Sequence, residues 1–330
     1  MIPRRLPLAL VAFALFAVAC SSSGASSGTS ATPSSSSAAA ACATAPEPAD
    51  LSAWGRPTSA PTLVPFLVSN AVACGKSRIL MLYLDSADRV KSAPDRSVKV
   101  DFFDLGRDPG KVVATAQGAF VWTIENERGM YVLDADLPEA GTWGAEFTTQ
   151  APGSPAETVR LTFPVRSQVP TVRVGQPAPA SKTPTAADVG GDLSKISTDA
   201  TPDPAFYQTS VADALATHKP FMLVFATPKF CASSQCGPTL DKFKPIAAAH
   251  PEVTFINVEP YELQLVDGTL QPVLDANKQL KATAVTDEWG LLSEPWIFAV
   301  DRAGIVRGSY EVMITPGELD TILPLITAGA

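Results

Sequence analysis

The stretch Phe221-Met-Leu-Val-Phe-Ala-Thr-Pro-Lys-Phe-Cys231-Ala-Ser-Ser-Gln-Cys236-Gly-Pro238 decides how the chain is read. Phe221 to Phe225 form an apolar run too short for a globular helix and rich in strand-forming residues, so it predicts a buried strand. Pro228 stops the run. Gly237-Pro238 opens a helical pattern, and Pro238 suits a first helical position, where its missing N–H leaves no bond unmade. A strand that delivers a cysteine to a helix N-terminus is a geometry that activates a thiol, because free backbone N–H groups and the helix dipole favour thiolate over thiol.

The spacing of Cys231 and Cys236 constrains the local structure. In a regular helix, positions five apart have Cα atoms about 8–9 Å from each other, beyond the roughly 7 Å limit for a disulfide. The two cysteines therefore cannot bridge while both sit in regular helix; Pro238 supports a helix start after Cys236, which leaves Ala232-Ser-Ser-Gln as a loop free to close the ring. Cys236 lies nearer that helix start, which favours it as the attacking thiol on dipole grounds.

Strand, Cys236-Gly237-Pro238 and helix in succession resemble the thioredoxin superfamily, whose active site is Cys-Gly-Pro-Cys. Thr239 stands where the second cysteine would be, and the partner lies upstream as Cys231. The segment Thr227-Pro228 to Cys231-x4-Cys236-Gly237 also resembles the atypical peroxiredoxins that use a Cys-x4-Cys pair. Leu223 replaces the proline of their pattern, and three residues rather than two separate Thr227 from Cys231. That second resemblance favours Cys231 as the attacking sulfur, so the choice between the two stays open.

The rest of the C-terminal region fits the thioredoxin resemblance. Ser210-Val-Ala-Asp213 predicts a capped helix, Val253-Thr-Phe-Ile-Asn-Val a strand, and Trp296 to Tyr310 a hairpin turning at Asp301-Arg-Ala-Gly304. Thr315-Pro-Gly-Glu318 predicts a helix start with a capping box. Between them, Tyr261 to Leu292 reads ambiguously, with a turn at Asp267-Gly268 and helical fragments such as Leu274–Leu280. Ser293-Glu294-Pro295-Trp296 falls where the superfamily keeps a cis-proline facing the cysteine pair. The resemblance thus implies that Pro295 acts with Cys231 and Cys236, and that Glu294, Trp296, Gly237 and Pro238 line a substrate groove. A carboxylate at Glu294 would raise a nearby thiol's pKa and make the pair less oxidising. Copper chaperones of the same fold use Cys-x3-Cys and a histidine. The spacing here differs, His218 and His250 are isolated near helix ends, and no metal or cofactor is expected.

The chain has 330 residues, 18% charged and 46% hydrophobic, with a net charge of −8. That composition is globular, and without a basic patch it argues against nucleic acid as a partner. Arg4-Arg5 precede an apolar run from Leu6 to Ala19, too short to span a bilayer and suited to a secretory signal over residues 1–19. The small residue before Cys20 resembles the bacterial lipoprotein box, implying lipid on Cys20; simple signal cleavage is the alternative. The Ser/Ala-rich stretch that follows, within 20–49, predicts a tether. An exported chain meets an oxidising compartment. Of the four remaining cysteines, Cys231 and Cys236 pair by proximity, leaving Cys42 and Cys74 as a candidate structural disulfide.

Residues 50–168 show short strands at regular spacing. Val98-Lys-Val-Asp-Phe and Val159-Arg-Leu-Thr-Phe alternate in period two. Turns at Asp108-Pro-Gly, Glu127-Arg-Gly and Pro152-Gly separate the strands. This predicts an antiparallel sandwich, and Gly129 to Phe147 loosely resembles exported Ig-like modules. Trp122 and Trp143 are expected in its core. Residues 169–205, rich in Pro and Gly, form a linker leading into a second domain over 206–330.

The expected fold is therefore an all-β Ig-like sandwich followed by an α/β thioredoxin-like domain, lipid-anchored on the extracytoplasmic face of a bacterial membrane. The expected function is thiol–disulfide exchange through Cys231 and Cys236, with protein thiols or disulfides, an electron donor and the lipid bilayer as partners. Two alternatives stand beside it: a non-catalytic surface binding lipoprotein whose Cys231–Cys236 bridge is structural, and a thiol peroxidase.

Overall fold

Eight strands follow the N-terminal cysteine in the computed structural model, which describes residues 42–52, 54 and 60–328. The signal segment, Cys20 and most of the tether lie outside the described residues. The strands are β1 (Val64–Leu67), β2 (Gly75–Leu84), β3 (Ser97–Asp104), β4 (Val112–Gln117), β5 (Ala119–Ile124), β6 (Arg128–Leu137), β7 (Gly141–Gln150) and β8 (Glu157–Val165). They form two antiparallel sheets, ordered β1-β2-β6-β5 and β4-β3-β7-β8. Alternation sets the faces: Val98, Val100 and Phe102 of β3 point into one apolar core with Ile79, Met81, Tyr131, Leu133 and Phe147. Trp143 is fully buried there and donates its indole N–H to the Glu139 carbonyl at 3.0 Å. Trp122, expected beside it, is only half-buried. A Cys42–Cys74 disulfide, with Cα atoms 6.5 Å apart, ties the first described residues to the start of β2.

Residues 169–205, read as a linker, lie along the second half of the chain. The Thr171 hydroxyl donates to the Gly290 carbonyl at 2.7 Å, and Val172 N–H to the Trp289 carbonyl. Gly290 has φ +63°, and a Cβ there would meet the Pro170 carbonyl oxygen at 2.2 Å, so a side chain fits neither the backbone nor the space.

The second half is built on β9 (Phe221–Phe225) and β10 (Thr254–Val258), which pair in parallel. β13 (Trp296–Val300) runs antiparallel to β9, and β14 (Val306–Glu311) antiparallel to β13. The order is β10-β9-β13-β14. Every residue of β9 and β13 is buried, because both faces of the sheet are covered. Met222, Val224 and Ile297 pack under α2 (Cys236–Ala249) and α4 (Pro316–Thr327). Phe221, Leu223 and Phe298 pack against α1 (Val211–Ala216) and Trp289 of α3 (Ala284–Trp289). The Thr315 capping box is formed: its hydroxyl accepts from Glu318 N–H at 3.2 Å, while the Glu318 carboxylate accepts from Thr315 N–H at 2.7 Å.

The expected division into an Ig-like sandwich plus an α/β thioredoxin-like fold is corrected at the level of the whole chain. Among the described residues, fourteen strands in four sheets stand against four α-helices, and helix takes up 17% of the protein. Two of those helices, α1 and α3, have six residues each. The ambiguous 261–292 stretch supplies two strands ahead of α3. β11 (Leu263–Val266) and β12 (Thr269–Pro272) pair across Asp267-Gly268, and Leu274 bridges Leu280 where a helical fragment was expected. Lys278 at φ +63° makes that turn and excludes a helix. The chain is predominantly β.

The two halves pack together within one unit. Leu80, Met130 and Val132 meet Val312 and Met313. Arg78 binds the Glu318 carboxylate and donates to the Met313 carbonyl at 3.0 Å. The buried Glu311 carboxylate accepts from Asn70 N–H at 3.0 Å and from the Ser293 hydroxyl at 2.7 Å. Val312 has φ +65°, a left-handed conformation rarely adopted by a β-branched residue. Its N–H donates to the Pro295 carbonyl at 2.8 Å.

Candidate functional site

The buried strand β9 ends at Phe225, and the chain turns where Phe230 N–H reaches the Thr227 carbonyl at 3.1 Å. This delivers Cys231 to a loop whose bend is completed by Ser234 at φ +59°. Helix α2 begins at Cys236, two residues earlier than Pro238 suggests. Pro238 is the third helical residue, still within the first turn, where backbone N–H groups have no helical acceptor and none is lost. The loop brings the Cys231 and Cys236 Cα atoms to 6.0 Å, and their sulfurs are bonded.

The two sulfurs sit in unlike places. Cys236 is fully buried among Leu240, Phe243 and the sheet. Cys231 is half-buried. Its sulfur receives the Cys236 N–H at 3.2 Å and lies 3.3 Å from the Ser233 hydroxyl. The helix N-terminus thus serves both cysteines: Cys236 is its first residue, and the N–H of that residue points at Cys231.

Glu294 and Pro295 face this loop, joined by a cis peptide bond. The Glu294 side chain is buried at 7% exposure; one carboxylate oxygen accepts from Ala232 N–H at 3.0 Å, the other from the Tyr261 hydroxyl. The Glu294 carbonyl accepts from Ser233 Oγ at 3.1 Å. Burial and the neighbouring Glu294 charge hold the Tyr261 phenol well above its ordinary pKa, so it remains a donor. From the other side, Thr239 of α2 donates to the Val312 carbonyl at 3.3 Å, and Val312 reaches Pro295.

Of the residues singled out in the sequence, the structure brings together Cys231, Cys236, Glu294 and Pro295, with Gly237 and Pro238 in the first turn of α2. Trp296 points elsewhere: it is buried on the opposite sheet face against Phe298 and donates to Ser309 at 3.0 Å. Ser233, Gln235, Tyr261 and Glu259 carry no motif, and only the fold places them near the pair. Among the described residues no His, Cys, Asp and Glu cluster could hold a metal ion.

Glu259, just beyond β10, holds the chain upstream of the cysteines. One carboxylate oxygen accepts Thr198 N–H at 2.6 Å and its hydroxyl at 2.7 Å; the other is buried without a partner, as is Asn257 Oδ1. Burial pushes its pKa up, against the lowering effect of Thr227 and Thr198. The folded chain therefore keeps the Glu259 proton to higher pH than the unfolded chain, and stability falls as pH rises through the unfolded value towards the raised folded one. Glu259→Gln removes this dependence. Thermal melts should show the variant gaining on the wild type from about pH 4 upward; a difference constant across pH would contradict a buried proton.

No family model matches the chain, and no curated protein matches it. Solved structures align to about a third of it. A DUF4426 family protein from Pseudomonas aeruginosa is 14% identical over 32% of this chain and 90% of its own, with a TM-score of 0.22. The Lin-41 filamin domain is 16% identical over 32% of this chain and 93% of its own, at 0.20. A conjugative transposon lipoprotein from Bacteroides eggerthii is 9% identical over 31% of this chain and 96% of its own, at 0.17. The superfamily resemblance is corrected on the chain's own make-up. The shared residues reduce to Cys236-Gly237-Pro238, with Thr239 in place of the second cysteine, in a chain dominated by strands. The descriptions thioredoxin-like, redox-active centre and oxidoreductase draw no support from these comparisons.

Proposed function

We propose that the chain carries out thiol–disulfide exchange through Cys231 and Cys236, anchored through Cys20 at the extracytoplasmic face of a bacterial membrane. The observation that carries this is the asymmetry of the pair: a half-buried Cys231 whose sulfur receives the Cys236 N–H, bonded to a fully buried cysteine that is the first residue of a helix. A partner thiolate attacks Cys231 Sγ. The new S–S bond forms as the Cys231–Cys236 bond breaks, and the electron pair passes to Cys236, where the α2 N-terminus stabilises negative charge. The partner's second thiolate then attacks its own sulfur in the mixed disulfide and releases Cys231 as a thiolate held by Cys236 N–H. The partner leaves oxidised by two electrons, and the cysteine pair is left reduced. Run backwards, with an electron donor that reduces the pair, the same steps reduce a partner disulfide.

A static bridge is the second reading, favoured by the complete burial of Cys236 and the Glu294 clamp on Ala232 and Ser233. Equilibration with glutathione or dithiothreitol buffers separates the two. Exchange chemistry is expected to give a reduction potential above about −300 mV, in the range of working pairs. A lower potential rejects exchange and leaves a structural disulfide in a surface binding protein.

A further inference from the structure

A groove of about 620 Å³ opens between β5 and the start of α2, within the range of about 300–1,000 Å³ typical of ligand sites. Its walls are apolar: Phe120 and Trp122 from one half, Phe243, Met313 and Leu319 from the other. Trp122 is half-buried, its ring edge-on to Phe120 at 4.9 Å, and its carbonyl accepts from Lys242 Nζ at 2.7 Å at the groove's polar rim. Thr239 and Lys242 of α2 also line it, and Gln235 enters beside them from the site side. Gln235 immediately precedes Cys236 and is only 4% exposed. Its backbone N–H and carbonyl are engaged with Ser233 and Thr239, yet its carboxamide has no hydrogen-bond partner among the described residues and lines the groove.

That unpartnered carboxamide selects the occupant. An alkyl chain would cover it and leave both its donor and its acceptor unpaired, which burial penalises. A peptide group offers one acceptor and one donor, the complement of a side-chain amide, and apolar side chains flanking it fit the aromatic and aliphatic walls. We propose that the groove docks an extended apolar segment of the protein whose thiols or disulfide exchange with Cys231–Cys236, one of its peptide groups hydrogen-bonding Gln235. This assignment of the substrate class depends on the exchange chemistry proposed above.

The test measures binding apart from electron transfer. The probe is a fluorescein-labelled, cysteine-free peptide, Gly-Ser-Phe-Leu-Val-Phe-Ser-Gly, titrated by anisotropy against the oxidised full chain. Its control has serine at the four apolar positions, and laurate is the competing alkyl ligand. The apolar peptide is expected to bind and the serine peptide not. Trp122→Ala and Gln235→Leu should each weaken binding by about tenfold, with melting curves showing both variants folded. No binding up to about 1 mM, equal binding of the serine peptide, or an affinity indifferent to both substitutions overturns the groove as a peptide site. Laurate binding that tightens in Gln235→Leu overturns it in favour of an alkyl ligand. A protein that binds the peptide but has a potential below the working range loses only its exchange chemistry. One that exchanges disulfides at an unchanged rate in Trp122→Ala loses only the groove.

Discussion

Cys236→Ser is expected to accumulate a partner protein in a mixed disulfide through Cys231, while Cys231→Ser traps none and its exchange falls by about a hundredfold or more. The direction follows from burial. Cys236 has no exposed surface, so an incoming sulfur reaches only Cys231. In the direction that reduces a partner disulfide, the Cys231 thiolate forms the mixed disulfide and Cys236 is the group that resolves it, which serine cannot do. The Cys231 thiolate has its own stabilisation in the Cys236 N–H, and it survives in Cys236→Ser because the backbone N–H at that position remains. Non-reducing gels of membranes expressing each variant, followed by alkylation at limiting reagent, read the outcome. Trapping through Cys236 instead would show that the loop opens widely before reaction and that the oxidised geometry does not choose the attacking sulfur. Trapping through neither would favour the static bridge.

Local signals gave correct elements where one face or one cap decides the structure. The period-two alternation of Val98, Val100 and Phe102 made β3, the fully apolar Phe221–Phe225 made a central strand, and the Thr315 and Ser210 caps started helices. β1 went unread because Val64-Pro-Phe-Leu has one buried residue, Pro65, and gains its order from pairing with β2. The fragment 274–280 went wrong because helical composition was outweighed by a left-handed turn at Lys278. At the site, the cysteines and Pro295 were visible as residue types. The clamp by Tyr261 and Glu294, the contact of Val312 with Pro295, and the meeting of Trp122 with Gln235 join positions far apart in the chain. No local pattern encodes such contacts. Trp122 illustrates the limit: aromatic residues are usually buried, and only its position near the packing of β5 on α2 makes it a groove wall.

Glu311→Ala is expected to destabilise the protein by about 2–4 kcal/mol and to loosen the cysteine loop at a distance. The carboxylate is buried at 7% exposure. It accepts from Asn70 N–H at 3.0 Å, Asn70 Nδ2 at 3.1 Å and Ser293 Oγ at 2.7 Å. Truncation removes the shared acceptor of all three donors, and hydrogen bonds to a charged group contribute about 1.5–3 kcal/mol each, offset in part because Asn70 is exposed and regains water. Glu311→Gln keeps one acceptor oxygen and should lose about half as much. The structural consequence runs through Ser293, which adjoins Glu294. If Ser293 is no longer fixed, the Glu294 carboxylate is held less firmly against Ala232 N–H. Denaturant unfolding measures the first effect, and amide hydrogen exchange at Ala232 measures the second, with faster exchange in Glu311→Ala expected. Lost stability with unchanged protection at Ala232 would mean that the interface holds the halves together without bearing on the cysteine loop, and the β-sandwich would then have no part in shaping the site.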